Sequence, residues 1–325
     1  MVRAVDQIKR VAVVGAGLMG HGIAQAYAQE GYPVAISDSS ASTISGVKSR
    51  IKTNLETLAQ EEFIQQADIE RILDRITVTG SLEKAVRDAD FVTEAIIEDL
   101  DAKKKLFGEM ESYCSSKTIL ASNTSTFPMT QIATMLKSPE RAIVTHWMNP
   151  PHLVPLVEVV PGKKTSEETY TTTYELLRKI KKVPVKVQQE VIGFLINRIQ
   201  TAMYREVYHL VETGVASAED IDRAIVASIG FRLATLGPLQ IRDLAGLDVM
   251  LTVEGMLAGE INSSKSPPKL LTDMVASGKS GAKTGKGFFD YTPDSLSELI
   301  RYRDRQFIRR LKEQYSKSAN QPCSA

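Results

Sequence analysis

A chain of 325 residues, 43% hydrophobic and 24% charged, is long enough for two domains with cores of ordinary size and too apolar for extended disorder. Forty Lys and Arg against 39 Asp and Glu leave a formal charge of +1, which removes the cationic footprint of a nucleic-acid or anionic-membrane binder. Two cysteines, Cys114 and Cys323, exclude a disulfide framework or a zinc ribbon, and no metal site is expected.

Met1–Arg10 carries charges but no apolar signal-peptide core, and no stretch nears the roughly 20 apolar residues of a membrane span. A soluble, cytoplasmic protein is therefore expected. From Val11 onward short β-branched runs alternate with amphipathic stretches. The spacing predicts strands at Val11–Val14, Val34–Ser37, Ile76–Thr79, Phe91–Ile96, Thr118–Ala121, Ala142–Trp147, Leu156–Val160 and Val183–Val187. Helices are predicted between them at Leu18–Glu30, Thr43–Leu58, Ala102–Tyr113 and Glu167–Lys181. Alternation of this kind implies βαβ units and a doubly wound, mainly parallel sheet. After Gly193 the strand signal vanishes. Phe194–Glu212 and Ser217–Ser228, the latter opened by a Ser-x-x-Asp cap, read as helices. The expected organisation is an α/β domain over 1–190, an all-α domain over 191–315 and an unstructured tail over 316–325 that contains Cys323.

The sharpest motif is Gly15-Ala16-Gly17-Leu18-Met19-Gly20, which leaves an apolar strand and enters a helix pattern. The first glycine permits the tight turn, the second lets backbone approach a pyrophosphate, and the third lets helix and strand pack closely. Unpaired N–H groups and the positive end of the helix dipole then face the phosphates. Asp38 closes the second strand near the spacing of about 20 residues expected for an acid that binds the ribose hydroxyls. A carboxylate there repels a 2′-phosphate, and Ser39 and Ser40 follow it rather than an arginine, so NAD is expected over NADP. These features make the N-terminal domain Rossmann-type. A glycine-rich turn that binds nothing is the alternative, opposed by strand, helix and acid standing in register.

Of four histidines, His21 and His209 lie in helical runs and read as packing or surface residues. His146 instead ends an apolar strand and precedes the turn signal Trp147-Met148-Asn149-Pro150-Pro151. The carboxyl end of a strand in a doubly wound sheet is where ligands bind. Glu158 is an acid inside the apolar run Leu156–Val160 and needs a partner if buried. A His146–Glu158 pair would fix the tautomer and favour proton uptake, as a general base requires. A structural salt bridge for Glu158 remains the other reading.

Taken together these motifs resemble the NAD-dependent L-3-hydroxyacyl-CoA dehydrogenases, over Val11 to about Tyr291. Val13–Ala24 is similar to that family's nucleotide loop, which implies cofactor contacts at Gly15, Gly17, Leu18, Met19 and Gly20. Thr93–Glu98 with Lys103 resembles the segment at the nicotinamide ribose, implicating Glu98 and Lys103. Ala121–Ser125 resembles the family's A-S-N-T-S, which makes Ser125 a contact of both substrate and cofactor. His146 and Glu158 fall on the catalytic histidine and its orienting glutamate, and Gly193–Arg198 places Asn197 on the substrate oxygen. Leu244–Asp248 and Lys283–Tyr291 are similar to C-terminal family segments. The resemblance implies oxidation of an L-3-hydroxyacyl-CoA to its 3-oxo form, a small-molecule substrate of fatty acid metabolism, and a homodimer formed through the helical domain.

Two departures concern the substrate. Relatives that hold the coenzyme A 3′-phosphate use a Ser and a Lys on the helical arm after the second strand, where Asn54 and Glu61 stand here, with Glu56 and Glu62 beside them. The loop Gly230–Pro238 and the Asn149-Pro150-Pro151 turn resemble the branch that oxidises free hydroxy acids such as gulonate and carnitine. Asn149 is then a substrate contact, and Arg232 either clamps a carboxylate or is a surface arginine. Oxidation of a free 3-hydroxy acid is thus the alternative to the acyl-CoA reaction. An NAD-binding relative without activity is a third reading. The basic run Arg301–Arg305 with Arg309, Arg310 and Lys312 is expected as a solvated helix face.

Overall fold

The computed structural model describes residues 2–318, with side chains as far as Ser316. The chain divides into two units, one made of residues up to Leu195 together with those from Arg301 on, the other of Ile196–Ile300.

The first unit is built on strands β1 (Val11–Val14), β2 (Val34–Ser37), β3 (Ile76–Thr79), β4 (Phe91–Glu94), β5 (Ile119–Ser122), β6 (Ala142–Trp147), β7 (Leu156–Pro161) and β8 (Val183–Lys186). They form one sheet in the order β3-β2-β1-β4-β5-β6-β7-β8, parallel throughout except for the antiparallel pair β6–β7. Every residue of β1, β4 and β5 is buried, which is why these strands read as continuous apolar runs rather than alternating ones.

Helices cover both faces. On one side lie α1 (Gly20–Gln29), α3 (Val47–Gln60), α4 (Asp68–Asp74) and α8 (Glu167–Lys179), which contribute Ile23, Tyr27, Leu55, Ile69 and Leu176 to a core shared with Trp147. On the other lie α5 (Leu82–Val86), α6 (Leu100–Tyr113) and α7 (Met129–Ile132), packed through Val86, Phe107, Met110 and Ile132. A short α2 (Ala41–Ser45) precedes α3. From β1 the chain winds outward through β2 and β3, then returns to β4 on the other side of β1. That reversal opens a crevice at the carboxyl ends of β1 and β4, the position at which such sheets bind ligands.

Several boundaries differ from expectation for local reasons. The first helix begins at Gly20 rather than Leu18, because Leu18 and Met19 belong to the turn. The arm expected as one helix over Thr43–Leu58 breaks at Gly46, where α2 ends. β4 stops at Glu94 rather than Ile96, since the Ile96 N–H donates to the Glu94 carboxylate at 2.8 Å instead of to a neighbouring strand.

The larger correction concerns the C-terminus. Helix α15 (Pro293–Ser318) continues through Ser316–Ser318, which were expected as unstructured tail; residues 319–325, with Cys323, lie outside the described residues. From Arg301 this helix belongs to the first unit instead of to a helical domain ending at 315. Ile308 and Leu311 are buried in the same core as α1 and α3, and the Tyr315 hydroxyl donates to the Lys181 carbonyl at 3.1 Å. A narrow stripe of α15, set among its basic residues, is therefore a packing face.

The second unit is helical: α9 (Ile196–Glu212), α10 (Ala218–Ile225), α11 (Phe231–Leu233), α12 (Pro238–Ala245), α13 (Leu247–Leu257) and α14 (Lys269–Ala276). Ser217 caps α10 by accepting from the Asp220 N–H, as its sequence pattern predicts. Within Ile196–Ile300 Ile221, at 7% exposure, is the one buried residue, while Leu239, Leu244, Leu251 and Met256 each expose more than 70% of their surface. Among the described residues no single helix is long and apolar enough to cross a membrane.

Candidate active site

The glycine loop is shaped by three different constraints. Gly15 has φ +100°, and a Cβ there would stand 2.4 Å from the Ala95 carbonyl oxygen. A Cβ on Gly20 would stand 1.7 Å from the Gly15 carbonyl oxygen, so the helix can start this close to the strand only without a side chain. Gly17 has nothing within 4 Å of its Cβ position and leaves its backbone open to a ligand. Together with Leu18, Met19, Asp38, Glu98, Asn123 and Ser125, Gly15 and Gly17 line a groove of about 860 Å³ at the β1/β4 switch point. An open Gly17 backbone and an acid at the end of β2 fit a dinucleotide.

Asp38 is tied to that loop. Its carboxylate accepts from the Ala16 N–H and from the Ser40 N–H, each at 2.8 Å. Arg50, which sequence reasoning passed over because it lies far from the second strand, donates through Nη2 to the Ala16 carbonyl at 2.9 Å and the Thr43 carbonyl at 3.0 Å. The loop amide and carbonyl on either side of Ala16 are thus both held by charged side chains.

Behind the groove is a buried ionic network. Lys103, expected at the nicotinamide ribose, does not line the groove: it is 1% exposed and pairs with Glu94 at 2.7 Å and Glu98 at 3.3 Å. Glu94 was not singled out, yet it is fully buried, holds Lys103 and accepts from the Ser122 hydroxyl at 2.5 Å. An acid inside an otherwise apolar strand was the available signal, the same one that exposed Glu158. Glu98 accepts from the Thr124 hydroxyl and from the N–H groups of Ser125 and Thr126 through one oxygen, which fixes the Ser125 loop at the groove wall.

The antiparallel register sets His146 opposite Glu158. The His146 Nδ1 stands 2.7 Å from Glu158 Oε2, with the histidine 4% and the glutamate 0% exposed. The other carboxylate oxygen accepts from the Leu195 N–H at 2.9 Å, and the Phe194 ring lies 5.6 Å from the imidazole. With Nδ1–H donated to the carboxylate, Nε2 is the nitrogen available to take a proton. Asn123, which lines the groove, accepts from the N–H of Trp147, the residue after His146, at 2.9 Å.

Asn149 is exposed in the loop that leaves β6. Asn197 stands in the first turn of α9, in the helical unit. Arg232, in the same unit, donates to the Ser228 carbonyl and hydroxyl one turn earlier. Among the described residues no group of three His, Cys, Asp or Glu side chains is placed to hold a metal ion.

The closest approach in the loop yields a direct test. Gly20→Ala forces a methyl into the Gly15 carbonyl and is expected to abolish NAD binding in calorimetry while circular dichroism remains that of the folded protein. Unchanged affinity would refute the role of this contact.

Residues 10–191 match the NAD-binding domain of 3-hydroxyacyl-CoA dehydrogenase, and residues 193–291 match its C-terminal domain. The chain is 32% identical to the 5-formyl-3-hydroxy-2-methylpyridine 4-carboxylate 5-dehydrogenase of Mesorhizobium japonicum, over 93% of this chain and 96% of that one. A crystal structure of an enzyme of that name superposes with a TM-score of 0.86 at 31% identity, covering 93% of this chain and 97% of the other. A probable 3-hydroxybutyryl-CoA dehydrogenase of Bacillus subtilis is 37% identical over 88% of this chain and 98% of its own. The L-carnitine dehydrogenase of Streptomyces coelicolor is 34% identical over 93% and 94%. With both family domains matched in order along one continuous chain, and the nucleotide loop in place, the protein belongs to the 3-hydroxyacyl-CoA dehydrogenase family and is an NAD-dependent oxidoreductase acting on CH–OH groups.

Proposed function

We propose that the chain oxidises the 3-hydroxyl of a free hydroxy carboxylic acid to a ketone, with His146 as the general base. NAD, when bound in the groove, supplies the hydride acceptor. His146 takes the hydroxyl proton on Nε2, and the Glu158 carboxylate stabilises the positive charge that develops on the ring. Glu158 is itself held by the Leu195 N–H, so the ring stays in one tautomer and one orientation. Ser125 and Asn197 are the groups proposed to hold the substrate oxygen, and Asn149 and Arg232 those that reach its carboxylate end.

The observation carrying the choice of a free acid is the state of the arm. Glu61 pairs with Arg305 of α15 at 3.2 Å, Asn54 donates to Gln25 at 2.9 Å, and Phe63 packs on Tyr315 with ring centroids 5.8 Å apart. The surface where an acyl-CoA relative would place a lysine for phosphate here presents an acid already engaged with the last helix. That helix lies beyond residue 291, where the family match ends. Relatives named for a pyridine carboxylate and for carnitine are 32% and 34% identical to this chain. The acyl-CoA reaction, with a place in fatty acid metabolism, is the second reading, favoured by the 37% identity to the Bacillus enzyme and by the Lys283–Tyr291 segment.

We also propose a cytoplasmic homodimer. Two cysteines in 325 residues suit a reducing compartment, where disulfides are rare. A helical unit that leaves Leu244, Leu247 and Leu251 exposed needs a second apolar surface, and a second copy supplies one.

Three outcomes are expected. An NAD-reduction screen pairing 3-hydroxybutyryl-CoA with free 3-hydroxybutyrate, gulonate and carnitine gives its highest kcat/KM with a free acid; turnover of the thioester alone overturns this substrate class. His146→Gln removes turnover and leaves NAD affinity unchanged, so a variant with wild-type turnover refutes the base. Leu251→Glu converts a dimer to a monomer in light scattering, and a wild-type monomer refutes the assembly.

A further inference from the structure

Lys182, one residue before β8, is 8% exposed and has no carboxylate within ion-pair distance among the described residues; Glu30, the nearest acid acting on it, is paired with Lys181 at 3.0 Å. An ammonium buried without a counter-ion is costly, and burial pulls its pKa down to about 7. What compensates it is backbone. Nζ donates to the carbonyls of Pro151 at 2.6 Å and Val154 at 3.1 Å, and lies 5.3 Å from the centre of the Trp147 ring.

All three acceptors belong to the end of β6 or to the loop 148–155, which joins the strand of His146 to the strand of Glu158. The opposite side of that loop presses on the nucleotide helix. A Cβ on Gly22 of α1 would stand 2.7 Å from Pro151 Cγ and 3.2 Å from His152 Nδ1. His152 adds no competing charge there, because burial and the nearby His21, Lys182 and Arg303 hold its pKa down to about 3. The loop is therefore wedged between a bare helix face and a buried cation, with Val183 N–H donating to the Pro155 carbonyl as it enters β7.

We propose that Lys182 is a positioning residue for the reaction: by gathering the carbonyls of Pro151 and Val154 it holds loop 148–155 against Gly22 and so fixes the His146–Glu158 pair relative to the cofactor groove. It acts through the loop and touches neither reactant. The inference rests on the dehydrogenase reading of His146 and Glu158, and Lys182 has no part in that reading's chemistry.

The test compares wild type with K182M, K182R and G22A by kcat, NAD affinity and the NMR titration of the His146 ring, the last needing no turnover. K182M is expected to lose about tenfold or more in kcat, as displacement of a positioned base does. Its NAD affinity stays within about twofold of wild type, and the His146 titration departs from that of wild type as the carboxylate contact loosens. K182R, which keeps donors for both carbonyls, recovers most of the kcat. A K182M enzyme with wild-type kcat and wild-type His146 titration overturns the proposal. Should K182M not fold, G22A carries the same test, since it leaves the lysine in place and pushes a methyl against Pro151; wild-type kcat and titration there also overturn it. If wild type turns over none of the screened alcohols, the dehydrogenase reading fails, and the His146 titration alone decides the role of Lys182.

Discussion

A carboxylate with no exposed surface sits in an apolar sheet only if both its oxygens are bonded, and a side chain on one oxygen of Glu158 and a backbone amide on the other meet this condition. The side chain is His146, brought opposite by the single antiparallel pairing in the sheet. The amide is that of Leu195, delivered where Gly193 and Phe194 both adopt left-handed backbone, at φ +78° and +49°. The stretch of the first unit that ends at Leu195 is thereby fixed to the strand of Glu158. Much of the local architecture follows from this one requirement: the reversal of β7, the eight-residue loop that makes the reversal, and the chain path into α9.

The sheet was legible in the sequence because its strands are buried on both faces. Runs such as Val11–Val14 and Ala142–Trp147 need no alternation to be recognised, and their observed bounds match the expected ones. The glycine loop was legible because each glycine answers a different steric demand. Interior charge was harder to read. Lys182 looks like a surface lysine in the sequence, and Lys103 stands out only by family resemblance, since a lysine has no pattern that separates a solvated end from one bonded to carbonyls or buried acids. Glu94 and Glu158 carry the better signal, being acids among β-branched neighbours, but only Glu158 also had a histidine to point at.

The last helix shows the same difficulty on a larger scale. Arg301, Arg303, Arg305, Arg309, Arg310 and Lys312 dominate its composition, but they do not form one solvated face: Arg303 is half-buried and Arg305 pairs with Glu61 at the end of α3. Ile308 and Leu311, three residues apart, mark a buried stripe too narrow to outweigh them, yet it is this stripe that docks the helix on the core of α1 and α3. The near-zero net charge of the chain is in part the result of opposed local charges meeting: an acidic arm and a basic helix that face one another across Glu61 and Arg305. The charge of the whole molecule carried no information on the substrate, whereas this one contact bears on it directly.

Because residues from Arg301 on return to the first unit, the helical unit is an insertion in it and not an appendage. Chain crosses between the units twice, at 195–196 and again at 300–301, so the helical unit is covalently tethered at both ends to the same sheet-based body. A module held by one linker can swing or be lost by a single cut; one held by two keeps its local concentration after either crossing is severed. Asn197 and Arg232, the proposed substrate contacts of this dehydrogenase, therefore stand in helices whose chain both leaves the sheet-based unit and re-enters it.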